Sequence, residues 1–67
     1  MELNQIPKVV DENQAAEIIG KKVQTLRNYR HIRIGPPYIK DGRSVRYFVD
    51  DLIEYLKSKR IVPERGR

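Results

Sequence analysis

Cysteine is absent from this chain of 67 residues. Without it there is no disulfide framework, no thiolate metal site and no thiol nucleophile. His31 is the only histidine, and one imidazole with no thiolate cannot complete a structural zinc site. Long apolar runs are missing as well; none approaches the roughly 18 residues of a membrane span. Met1-Glu2-Leu3 does not read as the start of a secretory signal, so the expected location is the cytoplasm. No P-loop occurs and no nucleophile has a His base close by in the sequence. Asp11-Glu12 and Asp50-Asp51 look like acid dyads, but acids at helix starts explain both. The expectation is a protein that is not an enzyme and carries no metal or cofactor.

A chain this short forms one small domain and buries only about 60% of its unfolded surface. With no covalent staple it depends on a compact apolar core or on a partner. Charge is abundant: 14 Lys and Arg stand against 9 Asp and Glu, for a net charge of +5. Its distribution says more than its total. Residues 1–20 are acidic overall, with Lys8 facing Glu2, Asp11, Glu12 and Glu17. Residues 21–46 hold Lys21, Lys22, Arg27, Arg30, Arg33, Lys40, Arg43 and Arg46 against Asp41 alone. A block this basic is the electrostatic footprint of a nucleic-acid binder, or else a solvated basic face.

Residues 1–10 have no helical period, and Pro7 keeps Ile6 extended. They read as a flexible arm that ends in a short extended piece at Val9-Val10. A folded domain is expected over residues 11–60, followed by a disordered tail over residues 61–67 that stops at Pro63. Asp11 or Asn13 caps a first helix whose apolar side is Ala15, Ala16, Ile18 and Ile19. Gly20 falls where a left-handed residue would end it. A second helix runs from about Val23 to His31. Thr25, Leu26 and Tyr29 face inward, while Val23, Gln24, Arg27, Asn28 and His31 fall on the opposite side. Ala16 lets the two helices approach, Gly20 turns the chain and Leu26 plugs the gap. Two helices crossing at such a turn are what a helix-turn-helix requires.

Gly35-Pro36-Pro37 is a connector that cannot lie inside a helix. Tyr38-Ile39-Lys40 and Val45-Arg46-Tyr47-Phe48 then flank Asp41-Gly42-Arg43-Ser44, and Asp-Gly between β-prone runs signals a hairpin. The hairpin reads as a two-stranded wing tipped by Arg43 and Ser44. Val49 to Lys59 forms a third helix, with Asp50 and Asp51 at its start and Lys57, Lys59 and Arg60 at its end. Val49, Leu52, Ile53, Tyr55 and Leu56 give it a wide apolar face that closes the core. The fold expected is α+β: one small winged helix-turn-helix domain in the order helix, helix, strand, strand, helix.

These residues resemble a known pattern. Ala15-Ala16, Ile19-Gly20, Thr25-Leu26, Tyr29, Gly35-Pro36-Pro37-Tyr38, Arg43, Val45-Arg46-Tyr47 and Asp51-Leu52 look like those of the excisionase and AlpA-type prophage-regulator family. Its members are related to the DNA-binding head of MerR-like regulators, and the resemblance spans about residues 9–58. It implies a second helix in the major groove and a wing on the backbone or a neighbouring minor groove. It also implies a role in excision as a recombination directionality factor, which bends DNA and recruits integrase, or in prophage gene regulation. Lys21 and Lys22 depart from the pattern, standing where members carry an apolar residue and then Ser or Thr. The lost capping hydroxyl costs about 1 kcal/mol of helix stability. The long dimerisation helix and effector domain of MerR-like regulators have no counterpart, so no small-molecule effector is expected.

Candidate site residues follow from position and side-chain chemistry. Gln24, Arg27 and Asn28 lie outward near the start of the second helix. Gln and Asn pair bidentately with adenine, and Arg with guanine. Lys21, Lys22 and Arg30 are candidates for phosphate contacts, which supply affinity and register without reading sequence. Thr25 is a further candidate, with a half-buried structural role as its alternative. On the wing, Arg43 is the candidate for a minor groove and Ser44 and Arg46 for phosphates; Arg46 could instead pair with Asp50 or Asp51. Tyr29, Tyr38, Tyr47, Phe48 and Tyr55 read mostly as packing residues. His31 either frays the end of its helix or meets a phosphate.

The expected partner is double-stranded DNA, bound by several copies at adjacent sites in the bacterial nucleoid, with integrase as a possible protein partner. One alternative output is transcriptional regulation. Another is docking to integrase through the wing edge or the Ile53/Tyr55 side of the third helix. No contact with a membrane is expected.

Overall fold

The computed structural model describes residues 8–63. Its elements in order are β1 (Val9–Asp11), α1 (Glu12–Ile19), α2 (Val23–His31), β2 (Ile39–Asp41), β3 (Ser44–Phe48) and α3 (Val49–Ser58). The three strands form one antiparallel sheet in the order β1-β3-β2. No described helix is long and apolar enough to cross a membrane.

The expected two-stranded wing is present as the β2–β3 hairpin, and the sheet adds a third strand to it. Val9-Val10, expected as the short extended end of a flexible arm, and Asp11, expected as a helix cap, pair along β3 with Val10 opposite Tyr47 and Asp11 opposite Arg46. The end of β1 is tied by the Val49 N–H, which donates to the Lys8 carbonyl at 2.9 Å. Val10 is buried while its neighbours are exposed, the alternation of a strand with one face on a core. The rest of the expected arm, residues 1–7, lies outside the described residues. Ile61–Pro63, the start of the expected tail, is exposed and has no regular structure.

Asp11 ends β1 and caps α1 in the same step. Its Oδ1 accepts from the Gln14 N–H at 2.8 Å, and the Gln14 Oε1 accepts from the Asp11 N–H at 3.2 Å. This reciprocal pair is a capping box, so Asp11 rather than Asn13 is the cap. Gly20 ends α1 in the left-handed region, at φ 72° and ψ 33°, as expected for a residue without a Cβ. The Lys21 N–H then donates to the Ala16 carbonyl at 2.9 Å.

The core consists of Val10, Ala15, Ala16, Ile19, Leu26, Tyr47 and Leu52. Val23 packs against it, which corrects the expectation that Val23 faces outward. As the first residue of α2 it sits a turn from Leu26 and shares its side. On α3 only Leu52 is fully buried; Val49 and Tyr55 are half-buried, and Ile53 and Leu56 are exposed. The apolar face of α3 is therefore wider than what the core covers.

Candidate nucleic-acid interface

The geometry of α2 begins with its ends. Lys22 is the cap of α2 and makes no side-chain capping bond. Its carbonyl instead accepts from Thr25 at 2.9 Å and Leu26 at 3.2 Å. The start of α2 thus has no side-chain cap and lies beside two exposed lysines, Lys21 and Lys22, an arrangement suited to an anion. Thr25 is half-buried. At the other end the helix closes through Arg33, whose φ of 62° is unusual for a residue with a side chain. The Ile34 N–H donates back to the Tyr29 carbonyl at 2.8 Å. Gly35 follows at φ 90°, where a Cβ would come within 3.1 Å of the Tyr29 side chain. The absence of a Cβ at Gly35 lets the connector lie this close to Tyr29 on α2.

Gln24, Arg27 and Asn28 are all exposed. Gln24 Nε2 donates to Asn28 Oδ1 at 3.2 Å, one turn along the helix, so the two amides orient each other. Arg27 is tied across to α1. Its Nη2 donates to Glu12 Oε2 at 2.7 Å, and its Nε lies 3.2 and 3.3 Å from the two Glu12 oxygens. Arg30 holds the same carboxylate from the other side, with Nη2 at 3.1 Å from Glu12 Oε1. Arg30 Nη1 donates to the Tyr47 hydroxyl at 3.0 Å, and its guanidinium lies 5.6 Å from the centre of the Tyr38 ring. Its side chain is only 16% exposed, against 48% for Arg27. Arg30, expected among the phosphate ligands, is thus held inside the fold.

Glu12 was legible only as a helix-start acid, yet it joins the first helix to both arginines of the second. Hydrogen bonding from Arg27 chiefly, and from Arg30, outweighs partial burial and holds the Glu12 carboxyl below its usual range. The same contact raises the Arg27 guanidinium further. The trio is closed as an ion cluster with one positive charge left over.

On the sheet, Asp41 faces Ser44 across the hairpin, so the connecting residues are Gly42 and Arg43. Gly42 has φ 63° while Arg43 does not enter the positive-φ region. Positive φ at the first turn residue alone is the type II′ pattern. Arg43 therefore stands at the tip, and Ser44 is already the first residue of β3. Arg43, Ser44 and Arg46 are exposed. Among the described residues Arg46 forms no ion pair with Asp50 or Asp51; it sits in the middle of β3 between Asp11 and Ile39. Of the five aromatics, Tyr47 is buried and Tyr29, Phe48 and Tyr55 are half-buried. Tyr38 is exposed, 6.2 Å from the Tyr47 ring and under Arg30.

A family model described as helix-turn-helix domain matches residues 9–60. The chain belongs to the helix-turn-helix domain family. The match takes in every helix and strand from β1 to α3. Membership supports DNA binding as the function and DNA as the partner. No curated protein matches the chain significantly. Within the helix-turn-helix, α1 and α2 are the paired helices, Gly20 their turn and α2 the helix in the position of the reader.

Proposed function

We propose that this helix-turn-helix protein is a sequence-specific, non-enzymatic DNA binder of the excisionase and AlpA-type prophage-regulator kind, acting as a recombination directionality factor. The observation that carries the reading is the outer face of α2. It presents Gln24, Arg27 and Asn28 together, exposed, next to the uncapped helix start flanked by Lys21 and Lys22. Gln24, Arg27 and Asn28 read base edges in the major groove. Lys21, Lys22 and Thr25 meet phosphates beside that helix start. Arg43 at the wing tip reaches a minor groove, and Ser44 and Arg46 add backbone contacts. Arg30 acts indirectly, by tying α2 to the sheet.

So few base contacts cover a short site, so several copies occupy adjacent sites and bend the DNA. The exposed Ile53 and Leu56 on α3 favour a second, protein-docking surface for an integrase, and the same DNA contacts serve transcriptional regulation. A gel-shift titration against attachment-site and random duplexes tests the reading. Preference for the attachment site is expected, with affinity falling by about 0.9 log units per log of salt for each phosphate neutralised. Equal affinity for both duplexes ends it. An excision assay with and without the protein separates recombination from transcription.

A further inference from the structure

Arg27 is both the exposed arginine of the reading helix and the firm partner of Glu12, and the two roles look opposed. A carboxylate offers a guanidinium the same pair of acceptors that guanine offers through O6 and N7. Glu12 would then compete with DNA for Arg27. The atoms involved say otherwise. A guanidinium has five N–H donors in a planar fork. Glu12 engages the side edge, Nε and Nη2. Nη1 makes no hydrogen bond among the described residues, and with the second proton of Nη2 it forms an end-on edge that can still meet two acceptors.

Glu12 is itself firmly fixed. Arg30 grips its Oε1 at 3.1 Å, and Arg30 is anchored at 3.0 Å on the hydroxyl of Tyr47, a residue with no exposed surface. The capping box at Asp11 and Gln14 sets the start of α1 one residue away. A continuous set of polar contacts thus runs from the buried centre of the sheet, through Arg30 and Glu12, to Arg27 at the surface. An unrestrained arginine must order several rotatable bonds when it binds; this one has most of that ordering done before DNA arrives.

We infer that Glu12 is a positioning residue for base recognition: it holds Arg27 by the Nε/Nη2 edge and leaves the Nη1/Nη2 edge to read a guanine. The inference rests on the proposed function, and the experiment separates the two. The preferred duplex of the wild-type chain is selected from a random pool. Binding constants are then measured on it and on its single base-pair variants, for wild type, Arg27→Ala, Glu12→Gln and Glu12→Asp. The readout is discrimination, the ratio of affinities for the preferred and the altered base pair.

Arg27→Ala flattens discrimination at one G·C pair. Glu12→Gln lowers it about tenfold at that same pair, inside the roughly 5- to 150-fold that a bidentate base contact is worth, and leaves other positions unchanged. In the Arg27→Ala background Glu12→Gln has no further effect. Glu12→Asp keeps the charge but shortens the reach, and gives an intermediate loss. Any unfolded fraction lowers both affinities alike and cancels in the ratio, as does the general gain from removing a negative charge near phosphates. Glu12→Asp decides the matter if Glu12→Gln does not fold. Unchanged or sharper discrimination in the Glu12 variants overturns the inference, as does an Arg27→Ala variant that flattens no position. A wild-type chain with no preferred duplex instead overturns the proposed function.

Discussion

Among single residues, Arg30 has the largest gap between what its type suggests and what its surroundings make of it. A cation on the reading helix of a basic protein is a natural phosphate ligand. Here it is mostly buried, bonded to Glu12 and to the hydroxyl of Tyr47. Arg30→Met keeps the stem but leaves that hydroxyl without its partner. The expected loss is about 1–3 kcal/mol, read as a lower urea midpoint at unchanged slope. Glu12 supplies a pH signature of the same cluster. Its folded carboxyl titrates below the ordinary value of 4.5, so it stabilises the fold above that value and stops doing so as pH falls through the folded one. The urea-midpoint difference between wild type and Glu12→Gln is therefore expected to be constant near neutrality and to shrink below pH 4.5. A difference that persists unchanged at strongly acidic pH would remove Glu12 from the account. Neither contact could be read from spacing, because Glu12 and Tyr47 lie 18 and 17 positions from Arg30.

Among elements, the helices were the most legible part. Their apolar spacing, Gly20 and the acids before α1 are local signals, and α1 and α2 stand where those signals put them. The lost cap at Lys22 was legible too and leads to an expected trade-off. Lys22→Ser restores a hydroxyl at the cap, worth about 1 kcal/mol in urea denaturation. If Lys22 neutralises a phosphate, the same change lowers the salt slope of DNA binding by about 0.9. Stability gained with an unchanged slope would leave Lys22 with no phosphate role. The hairpin was legible in place but not in detail. Asp-Gly suggested Asp41 inside the turn, whereas Asp41 is in β2 and the turn residues are Gly42 and Arg43.

At the scale of the whole molecule, β1 changes the architecture. Three residues carry no period by which to recognise a strand, and they gain one only by pairing with β3. That pairing makes β3 the central strand, puts Val10 over Tyr47 and leads directly into the cap of α1. The short extended piece is thus part of the core. Val10→Ala, which removes two methyl groups at about 0.8 kcal/mol each, is expected to cost roughly 1.6 kcal/mol; thermal unfolding followed by circular dichroism measures it. A change within error would return Val10 to a loose arm.

Local chemistry determined the helices, their turn, the hairpin and the outward polar side of α2, since propensity, capping and periodicity act over a few residues. The sequence also carried the basic block and the absence of thiols. The tertiary structure decided which charges remain available. It placed Glu12 between Arg27 and Arg30, set Arg30 on the buried Tyr47 and drew Val9–Asp11 into the sheet. An ion pair and a strand ladder both need partners distant in sequence, and only the folded chain brings those partners within hydrogen-bonding distance.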